Sequence, residues 1–277
     1  MMKPSLVLFS LCILGSTLRA ESEIRPIFTD SYWDDGKAEV AVYDAMLPHY
    51  GTTYPSKVSL LYVKEPFRTD TRVKSDRGSG ENIVPVIKSN MIISTRTGSY
   101  HYEQMHSSFW EISSQTLLKW SLSHHEACGA TFKMGIPDTD ILKMIYHTYW
   151  DGAADGELSI PIPENSWHYE ELPYRLRMRT ASREKDSLHI HLFSPVIHSQ
   201  LGNPGFRPAT IIWKDDLPHS VFEVRHAGGV DVLTFARKFP HVLIKWERAD
   251  GGSLELKEMV RTAYWSKHRP TDERLMP

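Results

Sequence analysis

The chain has 277 residues, with 32 Lys and Arg against 34 Asp and Glu and a formal charge of −2 at pH 7. That balance leaves no electrostatic case for binding nucleic acid or an anionic membrane surface. A hydrophobic content of 41% is enough for a large core, and the 8 Trp and 12 Tyr suit pleated, half-buried surfaces.

Residues 1–20 read as a secretory signal. Lys3 gives the positive start, Leu6 to Leu14 is an apolar run, and Leu18-Arg19-Ala20 offers a small residue at the cut before Glu21. The run is shorter than the roughly 20 residues a membrane span needs. Cys12 invites an acylated alternative, but Leu11 stands where a small residue belongs. The expected product is soluble and exported, periplasmic or secreted, without a transmembrane segment, with residues 21–277 as a single large β-rich domain. Removing residues 1–20 of 277 leaves 257; Lys3 and Arg19 go with them, moving the formal charge from −2 to −4. Cys12 leaves too, so Cys128 stands alone and no intramolecular disulfide is possible. Burial as a small apolar residue is the common fate of such a thiol.

In chain order, Asp34-Asp35-Gly36 reads as a turn rather than a carboxylate pair, and a strand follows from Ala38 to Met46. Lys57 to Val63 is a second strand, which Pro66 is expected to close. Residues Asp70 to Asn82 read as a loop. Ile83 to Thr95 and Gly98 to Ile112 read as strands joined near Arg96 to Ser99, and Leu117 to Phe132 as a long central strand. Asp140 to Trp150 fits helical spacing in its first half and a strand in its second. Leu158 to Pro163 is short and extended. Asn165 to Arg179 is the best helix, with Glu170 and Glu171 early and Arg175, Arg177 and Arg179 late, although Pro173 inside it counts against it. Strands follow at Ser187 to Phe193, Ala209 to Trp213, His219 to Arg225, Asp231 to Arg237, His241 to Arg248 and Ser253 to Tyr264. Gly228-Gly229, Pro240 and Asp250-Gly251-Gly252 divide the last of them. The pattern predicts a mainly β protein, an antiparallel open barrel or sandwich with one short helix.

The central strand carries the best candidate chemistry. With a period of two, Trp120, Leu122, His124, Glu126 and Cys128 share a face and His125 takes the other. Residues two apart lie about 6.6 Å apart and residues four apart about 13 Å. His124 and Glu126 can therefore share an ion or proton, whereas His124 and Cys128 do not meet at one metal without a bulge. Glu126, Cys128 and Trp120 are the candidate ligand-binding residues. His124 on this row, and separately His189 and His191 at i and i+2 on a later strand, are the candidate zinc ligands, although no third ligand accompanies the His189-His191 pair at diagnostic spacing. No nucleophile elbow, phosphate loop, dinucleotide fingerprint or paired-cysteine redox motif is present.

Four motifs carry a resemblance. Trp33-x-Asp35-Gly36-Lys37-Ala38-Glu39, Tyr62-Val63-Lys64-Glu65-Pro66-Phe67, Gly98-x-Tyr100-x-Tyr102-x-x-Met105-x-Ser107-x-Phe109 and Glu126-x-Cys128-Gly129 together resemble a family of exported bacterial proteins of uncharacterised function. In that family the fourth motif typically reads Gln-Glu-Trp-Cys-Gly. His125 and Ala127 replace its Gln and Trp, so Glu126, Cys128 and Gly129 are the matched positions. The resemblance implies a lipocalin-like open barrel and transfers no activity. The expectation is an exported, non-catalytic β protein without a cofactor, holding an unknown small molecule, lipid or envelope protein. The alternatives are a metal-assisted hydrolase or thiol enzyme centred on His124, Glu126 and Cys128, and an assembly module of the cell envelope.

Overall fold

From Ala38 onward the chain alternates strand with tight turn, because its apolar residues recur at every second position between short polar connections. The computed structural model describes residues 27–183 and 186–276, so the expected leader 1–20, with Cys12, lies outside the described residues. The strands are β1 (Ala38–His49), β2 (Thr52–Arg68), β3 (Val73–Lys74), β4 (Ile83–Thr97), β5 (Tyr100–Glu111), β6 (Leu117–Glu126), β7 (Gly129–Asp138), β8 (Ile141–His147) and β9 (Asp155–Pro161). After β10 (Ser166–His168) and helix α1 (Leu172–Ser182) come β11 (Leu188–Phe193), β12 (Phe206–Asp216), β13 (His219–His226), β14 (Gly229–Ala236), β15 (Leu243–Glu247) and β16 (Ser253–Thr262).

These strands form one sheet, ordered β10-β11-β12-β13-β14-β15-β16-β1-β2-β4-β5-β6-β7-β8-β9, with β3 beside β2. The β10–β11 ladder is parallel. The other ladders are antiparallel, and β16 returns to pair with β1, from Ala38 opposite Thr262 to Met46 opposite Ser253. β9 and β10, consecutive in the chain, lie at the two ends of this order, so the barrel is open there.

Inner-face residues of distant strands share one core: Trp120 of β6, Phe193 of β11, Leu233 of β14 and Trp246 of β15 all belong to it. The sheet is therefore curled, and α1 fills its concave side. Tyr174 of α1 stacks on Phe28 (4.8 Å between ring centroids) and on Trp110 (4.7 Å). Beside it, Arg177 makes a two-pronged bond to Glu39 of β1, with Nη1 to Oε1 at 2.7 Å and Nη2 to Oε2 at 2.9 Å. Its Nε donates to the Pro240 carbonyl at 2.7 Å. Both side chains are buried. Burial alone would lower the Arg177 pKa, but the Glu39 carboxylate more than offsets it and holds the guanidinium charged. On the opposite face of the sheet, Leu275 and Met276 cover Ala38, Val40, Val42, Leu61 and Val63.

Three expected elements are corrected. The strand from Leu117 to Phe132 is a hairpin, β6 and β7, turning at Ala127-Cys128. The helix from Asn165 begins at Leu172, because Pro173 sits in its first turn, where a missing N–H costs nothing, rather than in its interior. β2 runs through Pro66 to Arg68, because Pro66 lies opposite Pro85 in the ladder and neither ring is asked for a hydrogen bond by the other. Asp140 to Trp150 resolves as β8, and the Asp34-Asp35-Gly36 turn is tied down by Lys64 to Asp34 at 2.6 Å.

Candidate ligand pocket and the segment that walls it

Among the inward side chains of β5, β6 and β7, several are polar where a barrel core would be apolar: Gln104, His124, Thr131 and Lys133 are all buried. Their partner is backbone. Residues 195–200, which follow β11, cross the concave side without strand or helix partners of their own. Lys133 Nζ donates to the carbonyls of Val196 (3.1 Å), His198 (2.7 Å) and Gln200 (2.6 Å). Gln104 Nε2 serves Ile197 O at 3.1 Å and also His124 Nδ1 at 2.9 Å. Thr131 Oγ1 donates to Ser199 O at 2.8 Å. On the other side, Glu170 Oε1 accepts from the N–H groups of Val196 (2.7 Å) and Ile197 (3.3 Å). Every carbonyl from 196 to 200 is thus satisfied by a side chain, as a buried irregular segment requires.

This arrangement decides what the groups can do. Burial lowers the Lys133 pKa to about 8, against an opposing pull from Glu170, and its three carbonyl partners take all three ammonium hydrogens. Burial likewise lowers His124 to about 4, so its imidazole is neutral at physiological pH. The Glu126 Oε1 is 3.9 Å from His124 Nε2, beyond hydrogen-bond range. Burial raises the Glu126 pKa, and a hydrogen bond with the Ser199 side chain opposes that.

The sequence candidates therefore separate. Trp120 is a buried core anchor: it lies opposite Gly135 in the ladder, and a Cβ there would sit 2.2 Å from the indole. Cys128 is exposed in the β6–β7 turn, against the Tyr100 hydroxyl, off the row that Trp120 and His124 share. His189 and His191 lie together on the outer side of β11, held to Thr210 Oγ1 (3.2 Å) and Glu164 O (3.1 Å). Among the described residues, no three His, Cys, Asp or Glu side chains gather as a metal set.

A pocket of about 500 Å³ opens where residues 194–198 meet the β13–β14 turn at His226 to Gly228 and the β15–β16 turn at Arg248 to Asp250. Leu192, Phe193 and Pro195 give it an apolar wall, Arg207 and Arg248 a cationic one, and His198, whose pKa burial lowers, lies beside them. Behind it lies a fully buried carboxylate, Asp231. It accepts from Tyr169 Oη (2.6 Å), Trp246 Nε1 (2.8 Å) and His226 Nε2 (2.5 Å). Burial pushes its pKa up, but these hydrogen bonds prevail and hold it below the ordinary carboxylate value. The Gly228 N–H donates to His226 Nδ1 at 3.1 Å, so Nδ1 is the acceptor nitrogen and Nε2 carries the proton given to Asp231. The imidazole has no free lone pair for general-base work. A His–Asp pair that resembles a catalytic dyad is here a structural clamp.

Sequence reasoning missed Gln104, Lys133, Asp231, Arg207 and Arg248. A signal existed for Asp231, which alternates with inward Leu233 and Phe235 on β14. For β7 the signal ran the wrong way: Phe132 and Met134 look like the core face, yet Thr131, Lys133 and Gly135 are the buried ones.

No protein-family profile matches the chain, and no curated protein gives a significant match. Among solved structures, the chain is similar to a β-barrel-like protein of a domain of unknown function, DUF1849, from Brucella abortus. The TM-score is 0.52 at 6% identity, over 81% of this chain and 98% of that one. At that identity the likeness concerns the fold alone: the chain is a mainly antiparallel, barrel-like β protein with one short helix. Among the described residues no helix is long and apolar enough to cross a membrane.

Proposed function

We propose that the protein is an exported, non-catalytic binding protein of the cell envelope that holds a small molecule in the pocket beside residues 194–198. The observation that carries this reading is a pocket of about 500 Å³, within the usual range for small-molecule sites, whose neighbouring titratable groups already serve structural partners. The Lys133 ammonium holds carbonyls, His226 is used at both nitrogens, and Asp231 accepts three donors. Residues 1–20 support export. The enzyme alternatives have less behind them, since His124 is bound to Gln104 and Cys128 sits on an exposed turn beside a tyrosine rather than a base.

Native mass spectrometry of the protein purified from its own compartment tests the reading. The expected spectrum shows a one-to-one adduct that is lost on denaturation. A bare polypeptide mass under every condition tried rejects it.

A further inference from the structure

The pocket also carries information about what it holds. Arg248 is largely buried, its guanidinium packed about 5.8 Å from the Tyr169 and Trp246 rings. Nη2 is paired with Asp250 at 2.6 Å, but the buried Nε has no hydrogen-bond partner among the described residues. A buried guanidinium N–H without an acceptor is costly, so the protein leaves part of the Arg248 donor capacity unanswered. Arg207, on the same pocket, is held by neutral oxygens, Ser194 Oγ at 2.8 Å and Asn203 O at 3.2 Å, rather than by a carboxylate. Of the nearby acids, Asp250 is committed to Arg248, and Asp231 is committed to its three donors behind the wall. Arg207 thus stands on the pocket as a cation with no carboxylate bonded to it among the described residues, beside an apolar wall.

We propose, resting on the binding reading above, that the pocket takes a small organic anion: a carboxylate head received by Arg248 and Arg207, and an apolar body seated on Leu192, Phe193 and Pro195. Arginine suits the head because its planar fork meets a carboxylate with two parallel bonds. The apolar wall suits a medium-length aliphatic or aromatic body.

The test is a fluorescence titration with 8-anilino-1-naphthalenesulfonate, an apolar body with one anionic head, followed by competition with octanoate and with 1-octanol. Saturable one-site binding is expected, with octanoate displacing the probe at least about tenfold more effectively than octanol, as one lost charge-assisted bond implies. Arg207→Gln should weaken octanoate by about tenfold or more while leaving octanol unchanged, with an unaltered Tm showing that the fold survives. Ala249→Phe, which fills the pocket, should abolish both. Equal competition by octanol and octanoate overturns the anion inference and leaves the binding reading standing. So does an Arg207→Gln protein that binds octanoate as well as wild type. Absence of probe binding overturns it as well; the native adduct then decides whether the binding reading falls with it.

Discussion

At the scale of single residues, the Arg177–Glu39 pair has the most at stake. Removing one partner leaves a buried charge alone, which typically costs 3–5 kcal/mol, whereas replacing both by apolar groups costs much less. Arg177→Met and Glu39→Gln should each lower the urea midpoint strongly, and the Arg177→Leu, Glu39→Leu double variant should recover most of the loss. Additive losses in the double variant would show that the two charges are not coupled. Cys128 lies at the other extreme. Its exposed sulfur should react with a thiol reagent in the folded protein, and Cys128→Ser should change stability by less than about 0.5 kcal/mol. A thiol that reacts only on unfolding would contradict its place in the turn. Neither fate was legible in advance. Glu39 stood out only as part of a motif, and its partner lies in a helix 138 positions away. The period of two puts Cys128 on the wrong row because Ser123-His124-His125-Glu126 carries no turn signal and the alternation runs on past it.

At the scale of elements, residues 195–200 depend on β7. Lys133→Met keeps the length of the side chain but strips three carbonyls of their donor, each carrying part of a desolvation penalty of about 1–3 kcal/mol. The expected result is a stability loss of at least about 2 kcal/mol, together with faster amide exchange across residues 196–200. Thr131→Val should cost less, since it frees only the Ser199 carbonyl. If Lys133→Met left exchange in that segment unchanged, the lysine would not be what holds it. Most strand positions, by contrast, were readable. The strand expected from His219 to Arg225 and the turns at Asp35-Gly36 and Asp250-Gly251-Gly252 match the elements observed. Periodicity fails on β7 because it measures hydrophobicity, and β7 faces a polar backbone segment inside the barrel.

At the scale of the whole molecule, burial of several histidines sets the acid response. His106 and His168 are held near a pKa of about 3, and His124 near about 4, in each case chiefly by burial. In the unfolded chain each takes a proton below about pH 6.5. Between those values the unfolded state binds more protons, so their contribution to stability is lost as pH falls from about 6.5 toward 4 and below. Glu171, raised to about 8 by burial, works in the opposite sense: its contribution declines as pH rises from about 4.5 to 8. The clean observable is therefore a difference. His106→Phe, which can keep the stack on Trp120, should flatten the pH dependence of the unfolding free energy by about one proton between pH 6.5 and 4. Parallel curves for the variant and wild type would mean that His106 is protonated in the folded state. The fold class was legible from turns and alternation alone. The return of β16 to β1 and the gap between β9 and β10 were not, because strand order beyond neighbours leaves no local mark on the sequence.

That return has a consequence in time. β1 is complete at His49, but the strand that covers its second flank begins at Ser253. At roughly 5–20 residues per second, the chain emerging from a ribosome waits on the order of tens of seconds for its first strand to be covered on both sides. Throughout that interval a run containing Val40, Val42 and Tyr43 offers a bare edge to any other nascent chain. A holding factor during synthesis is the natural remedy, and a chain stopped short of Ser253 is the species most prone to self-association.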